Sequence, residues 1–478
     1  MNAGISGCSQ KRIRPGQDRL STVEYVIAND WKSSMSVYHF GAVGDGKADD
    51  TQALQHALDA GDGILELEKG TYRITQPLII NTVENGYGGI SGRSGASRIV
   101  MEGAGPAVRV VGNHNGTASP STYQASTWEK ERMPILEGFE ILGKHPEAVG
   151  IELIKTTKAV ITRVLVRECK YGIHLVERNR DFILSDSHLL NNSHHGLYFD
   201  RCNLHQIIVH GNHISWNGKS GIKSLDGDVH NLQITGNDIE YNNSPGVDEG
   251  EGPLGAEIWF DARNGVISEV TIASNTVQAT IQPGGSNIRI WGNGKVDQYS
   301  NRLVAITGNV LGSQTRGIDM RDGGRITVTG NTIYDSQDLS LYFERCHGFT
   351  VGSNTFVWRS DDKAAKRDGL KFVECSAGVL TGLQSEHLCY GTPTRGAGIT
   401  LENCSDMTIG HCQVLDTLHF GIELRECTRC IVDGCTVIDR KNPATMVEAI
   451  RVVGLSLIHI SEPTRLLSIS YAGFCVKK

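Results

Sequence analysis

A single unit recurs along most of this chain, and it constrains the fold more than any other feature. It reads GIELIKTTKAVITRV from Gly150, GIHLVERNRDFILSD from Gly172, GLYFDRCNLHQIIVHGN from Gly196 and GIKSLDGDVHNLQITGN from Gly221. It returns as AEIWFDARNGVISEVTIASN from Ala256, GIDMRDGGRITVTGN from Gly317 and SLYFERCHGFTVGSN from Ser340, then as GLKFVECSAGVLTGL, GITLENCSDMTIGHC and GIELRECTRCIVDGC. Each unit is a small residue, a short alternating segment, a polar turn, a second alternating segment, and Gly-Asn or a relative of it. Start-to-start spacings include 22 from Gly150 to Gly172, 24 from Gly172 to Gly196 and 23 from Gly317 to Ser340. Alternation with period 2 marks strands, since successive side chains on a strand point to opposite faces, and it excludes helical repeats. Short strands repeated about every 23 residues stack as a parallel solenoid, with coils ~4.8 Å apart.

Columns of like residues set the register. Ile173, Leu197, Ile222, Ile258, Ile318, Leu341, Leu370, Ile399 and Ile422 face inward. Asn212, Asn237, Asn275, Asn309, Asn331 and Asn354 form a second column, continued by Cys412 and Cys435. A stacked asparagine can hydrogen-bond the turn peptides of its own and neighbouring coils, which buried turns require. Cys202, Cys346, Cys375, Cys404 and Cys427 form a third column. Twelve cysteines in 478 residues are too sparse for a disulfide scaffold, and a regular stack of small soft side chains reads as unpaired thiols filling core. The chain carries 56 glycines and 12 prolines, against about 33 and 24 for average usage, which suits many tight turns.

Upstream, FGAVGDGKADDTQALQHALDA from Phe40 leads through Gly44-Asp45-Gly46 to an acidic start at Asp49 and Asp50. Ala53, Leu54, Ala57 and Leu58 then share one helical face. Such a helix caps the first coil, whose strand edges would otherwise be open. GILELEKGTYRITQPLII from Gly63 supplies the first strands. FGAVGDGKADDTQALQHAL followed by LELEKGTYRI resembles the opening of the pectate-lyase-like superfamily. That group includes pectate-lyase-like and rhamnogalacturonase or epimerase-like domains, polygalacturonase relatives and phage tailspikes. The resemblance spans about residues 37 to 454 and implies an all-β, right-handed parallel β-helix with a short N-terminal capping helix, occupying 36–454 and extracellular. Residues 1–35 form an uncertain extension. Residues 455–478 read as a non-native tail, because LSLIHISEPTR at 455–465 resembles a translated sequencing adapter.

The outward positions of the first strand, in coil order, are Glu152, His174, Tyr198, Lys223, Trp259, Arg289, Asp319, Tyr342, Lys371, Thr400, Glu423 and Arg451. The next outward positions add Asp200, Asp261, Trp291, Arg321 and Glu344, with Asp226, Arg263 and Asp322 nearby. An exposed strip of this composition suits an anionic glycan, since rings stack on Trp and Tyr and cations meet carboxylates. Insertions at 244–257 and 278–287 raise walls beside it, and the loop 112–132 overhangs an earlier coil.

The leading expectation is a carbohydrate-active enzyme cleaving an acidic polysaccharide by β-elimination at a uronate. Asp261, Arg289, Asp319, Arg321 and Asp322 are the candidate catalytic residues. Tyr198, Lys223, Trp259, Trp291, Tyr342, Glu344 and Lys371 are the candidate substrate contacts. A lyase wants a cation near a Lys, Tyr or His base, whereas a glycosidase wants two carboxylates ~5 to 9.5 Å apart, with Asp261, Asp319 and Asp322 as candidates. Hydrolysis, C5-epimerisation and a non-catalytic tailspike-like or adhesion role stay open. The polygalacturonase Asn-Thr-Asp, Asp-Asp and Gly-His-Gly motifs are missing: His194-His195-Gly196 is a turn, and Asp361-Asp362 lies in an insertion.

Calcium is the one cofactor left open. Asp226 with Asp228, or Asp248 with Glu249 and Glu251, would supply hard oxygens, but without EF-hand spacing, and a solvated acidic loop explains them as well. A formal charge of −7 gives no basic footprint for nucleic acid, and no apolar run approaches the ~18 residues of a membrane span. No signal peptide is visible in the first 30 residues, and monomer and trimer stay open.

Overall fold

The computed structural model describes residues 36–60, 63–243, 255–279, 281–294, 299–359 and 368–454, with three further strands at Ile458–Ser461, Arg465–Leu466 and Ile469–Tyr471. The chain winds as a right-handed parallel β-helix. Each coil adds one strand to a 16-stranded sheet and its other strands to a bent sheet that forms the remaining walls. Strands pair in parallel with the coils before and after. The three strands within 455–478 pair in parallel with the last coils.

The inward column runs in register from Ile173 through Leu197, Ile222, Ile258, Ile288, Ile318, Leu341, Leu370, Ile399 and Ile422 to Ile450, all buried. Beside it runs the asparagine ladder. The Asn237 backbone amide donates to Asn275 Oδ1 at 3.0 Å, while Asn237 Nδ2 donates to that oxygen and to the carbonyl of Val209 one coil earlier, each at 3.0 Å. The bonds repeat from Asn212 to Asn354. The preceding residue takes a left-handed backbone, with φ of 65° at Gly236 and 67° at Gly330, which explains the recurrent Gly-Asn pair. Where cysteine replaces asparagine, the thiol stands in for the amide donor, and Cys412 Sγ reaches the carbonyls of Gly410 and Leu380. The cysteines of the third column are likewise free and buried, and Cys375 and Cys404 each bond two carbonyls. Burial pushes the Cys202 thiol up to about 12, and contact with the Cys404 thiol, with burial, pushes Cys427 up to about 12, so both stay protonated.

The cap forms where expected. Thr51–Ala60 is a helix burying Thr51, Leu54, Ala57 and Leu58, with Ala53 half-buried. The Asp50 carboxylate folds back to accept from the amides of Val43 (2.7 Å) and Gly44 (3.0 Å), tying the glycine turn to the helix start. Among the described residues no helix is long and apolar enough to cross a membrane.

Candidate active site

Parallel stacking puts every outward residue of one coil beside its counterpart on the next. The row Glu152, His174, Tyr198, Lys223, Trp259, Arg289, Asp319, Tyr342, Lys371, Thr400, Glu423, Arg451 is continuous in the strand register. So is its neighbour, Asp200, Leu225, Asp261, Trp291, Arg321, Glu344. The expected exposure is a different matter. Trp259 is 2% exposed, Trp291 6%, and Arg289 and Asp319 are fully buried.

Two causes close this stretch. Cations and rings alternate along the row and cover each other. Lys223 Nζ lies 2.9 Å from the Trp259 ring centroid, Arg289 sits 5.4 Å and 5.0 Å from the Trp259 and Trp291 rings, and Arg321 sits 4.4 Å from Trp291 and 5.3 Å from Tyr342. The two indoles meet edge to face, 5.8 Å apart. The inserted loops also close over Arg289, which donates to the carbonyls of Gly255 (3.1 Å) and Gly284. Residues 244–254 and 280 of those insertions, with Asp248, Glu249, Glu251 and the Asp361-Asp362 pair, lie outside the described residues.

At the centre of the closed stretch, Asp319 accepts from Arg316 (2.9 Å), Arg321 (3.0 Å) and Trp291 Nε1 (3.2 Å), with Arg289 at 3.5 Å. Although burial opposes its charge, Arg289 and Arg321 hold the Asp319 carboxyl below the usual carboxylate range. Burial lowers Arg289 to about 10. Asp261 is gripped by Arg263 (2.8 and 2.6 Å) and is also held low against its burial. Asp322 pairs with Arg345 at 2.6 Å, Glu344 accepts from Tyr342 at 3.0 Å, and Lys371 contacts Tyr390 and Glu402, each at 3.2 Å. Each candidate carboxylate therefore already has a cation or phenol as partner.

The row opens two coils earlier. A cleft of about 320 Å³ is lined by Tyr171, His194, His195, Tyr198, Lys219, Lys223, Asp226, Trp259, Asp261, Arg263 and Asn264, with Leu225. It brings together Tyr198, Lys223, Trp259 and Asp261 from the expected set. Arg289, Asp319, Arg321, Asp322, Trp291, Tyr342, Glu344 and Lys371 do not line it. Of its other residues, His194, His195 and Lys219 come from the turns that precede the strands, Asp226, Arg263 and Asn264 from the turns that follow them, and Tyr171 opens the strand Tyr171–Arg180. Tyr171 packs at 5.0 Å on Tyr198 and at 5.9 Å, parallel, on His195, and His195 lies 4.8 Å from Tyr198. In the sequence, the His-His-Gly turn signals His194 and His195, and the outward row signals the neighbouring Asp226 and Arg263.

Burial, then Lys223 and Lys219, push the His195 imidazole well below its ordinary range, so it is neutral at pH 7. Burial and Asp200 raise the Tyr198 phenol, which donates to Asp200 Oδ1 at 3.1 Å. The cleft thus combines cations, a neutral imidazole and a protonated phenol within one coil spacing. Asp226 accepts from the Asn264 amide and side chain, each at 3.3 Å, whereas Asp228 turns to His230, so the two do not share one calcium-type set.

The sequence profile of the family described as right handed beta helix region matches residues 144–253 and 254–456. No curated protein sequence matches the chain. Among solved structures, the catalytic unit of a thermostable GH87 alpha-1,3-glucanase from Streptomyces thermodiastaticus strain HF3-3 is 14% identical with a TM-score of 0.45, over 89% of this chain and 69% of that one. The A-module of a mannuronan C-5 epimerase from Azotobacter vinelandii is 13% identical with a TM-score of 0.43, over 90% and 98%. The Dettilon tailspike protein is 18% identical with a TM-score of 0.45, over 86% and 67%.

Proposed function

The chain belongs to the right-handed β-helix family, and on that premise we propose that it is a carbohydrate-active enzyme cleaving an acidic polysaccharide by β-elimination at a uronate, in the cleft between Tyr171 and Asn264. The observation that carries this reading is the neutral His195 set beside Lys219, Lys223 and Tyr198. Elimination needs the uronate carboxylate neutralised, so that the adjacent C5 proton becomes acidic. Lys219 and Lys223 supply that charge, with Arg263 steered by Asp261. His195 takes the C5 proton, the electron pair forms the C4–C5 double bond, and the C4–O bond breaks. Tyr198, kept protonated by burial and Asp200, gives its proton to the leaving oxygen. Tyr171 supplies a ring face for a sugar flanking the cut.

Hydrolysis is less well served. It needs a carboxylic acid that holds its proton beside a second carboxylate, and Asp261 and Asp319 are both held ionised by arginine. In this reading Arg289, Asp319 and Arg321 position the Trp259–Trp291 platform without touching substrate. The test is the ultraviolet absorbance of unsaturated uronate ends when the protein meets a panel of uronate polymers, with a reducing-end assay in parallel. Rising absorbance that is lost in His195→Gln supports the proposal. Reducing ends without absorbance mean hydrolysis, and binding with neither signal means a glycan-binding role.

A further inference from the structure

Further along the strand that carries Tyr198, a separate group of ligand-type side chains gathers on the outer wall. Strand Leu197–His210 pairs with Asp228–Thr235, so that Asn203 lies beside Asp228 and His205 beside His230. Asp228 and His230 are two residues apart on one strand and share a face, and coil stacking sets His205 against them. The His205 and His230 rings stack at 4.6 Å, and one donor atom from each of the three side chains lies within 4.8 Å of the others. All three are partly exposed, which leaves water access to the group.

We propose that His205, Asp228 and His230 form a binding site for a first-row divalent transition ion of the zinc type, clamping two successive coils together. Two imidazoles and one carboxylate are the donor set such ions take, with water completing the coordination, whereas calcium takes oxygen only.

Two further observations support the site. His230 Nε2 is 2.9 Å from Asp228 Oδ1, the spacing of two neighbouring ligands on one small ion, and its other ring nitrogen faces Glu269 at 3.8 Å, where a carboxylate would orient a metal-bound imidazole. Asn203 Nδ2 donates to the second Asp228 oxygen at 2.5 Å and fixes its direction. Arg180 and Arg178 do not fill the site, because their guanidiniums bond the carbonyls of Asn179 and Asn203 and of Gly116. A comparable cluster of Glu386, His387 and Asp416 differs on this point, since Arg440 bridges its two carboxylates.

The experiment is calorimetric titration of the EDTA-treated full chain with zinc chloride, in parallel with calcium chloride, and with cobalt chloride followed by visible absorption. The expected result is a zinc site lost in His205→Ala and in His230→Ala but kept in His387→Ala, with cobalt bands that vanish in the same two variants. Circular dichroism checks that the variants remain folded. The His205 imidazole makes no hydrogen bond among the described residues, so His205→Ala provides the readout even if His230→Ala does not fold. Zinc stoichiometry unchanged in His205→Ala, or calcium bound more tightly than zinc, would overturn the assignment.

Discussion

From Tyr198 to Lys223 the outward row lines the floor of a cleft, with both residues only 6% and 4% exposed, whereas from Arg289 to Asp319 the same row is fully buried and lines none. The chemistry of the side chains does not separate the two stretches; their neighbours do. Trp259, Arg289, Trp291 and Arg321 use their ring faces and charges on one another, and Asp319 neutralises the surplus. Nearer the amino end the row meets Tyr171 and the turn histidines His194 and His195 instead, and Lys219 and Lys223 lie beside a cavity.

This contrast can be tested by substitution. The largest expected effect is on catalysis: His195→Gln should lower turnover about a thousandfold, as expected for removing a general base, while shifting the urea midpoint less than Asp319→Ala does. Retained turnover would move the base elsewhere. Asp319→Ala should have the opposite character, costing about 3 to 5 kcal/mol in urea unfolding because it leaves the buried Arg289 without its carboxylate. A loss below about 1 kcal/mol would mean that water reaches the cluster. Asn309→Ala should cost about 2 kcal/mol in the same assay, since it removes the bonds that Asn309 makes to Asn331 and the Ile272 carbonyl and leaves the Asn275 amide unsatisfied.

Two predictions concern pH. Glu257 is fully buried, ends a second asparagine ladder by accepting from the Asn242 amide and side chain, and is raised by burial from 4.5 to about 8. Between those values the folded state holds a proton that the unfolded state releases, so this group's contribution falls as pH rises. Glu257→Gln should therefore stabilise increasingly from pH 4.5 to 8 and have little effect below; a pH-independent difference in urea unfolding would contradict this. The smallest effect concerns His195. Its folded value lies below 6.5, so its contribution should be present above pH 6.5 and fall as pH drops below that value, and His195→Gln should flatten that slope.

Period-2 alternation and the Ile, Asn and Cys columns were enough to specify the coil, its register and its cap, because each coil meets only its neighbours and a repeat in sequence becomes a column in space. The outward row from Glu152 to Arg451 was legible for the same reason. The second ladder, Asn192, Asn217, Asn242 and Glu257, was missed, because it occupies the turn before the strand rather than the Gly-Asn turn. The cleft's Tyr171 and Lys219 were missed too: Tyr171 opens its strand ahead of the alternating segment, and Lys219 lies in a turn whose direction no alternation records.

The amino-acid sequence by itself determined that the chain winds as a parallel solenoid and which residues face outward, since both follow from local periodicity. Which outward residues remain open was decided only by the tertiary structure. Loops closing over Arg289 and the mutual cover of Trp259, Trp291 and Arg321 depend on where side chains from different coils end, and a one-dimensional pattern carries no information about that.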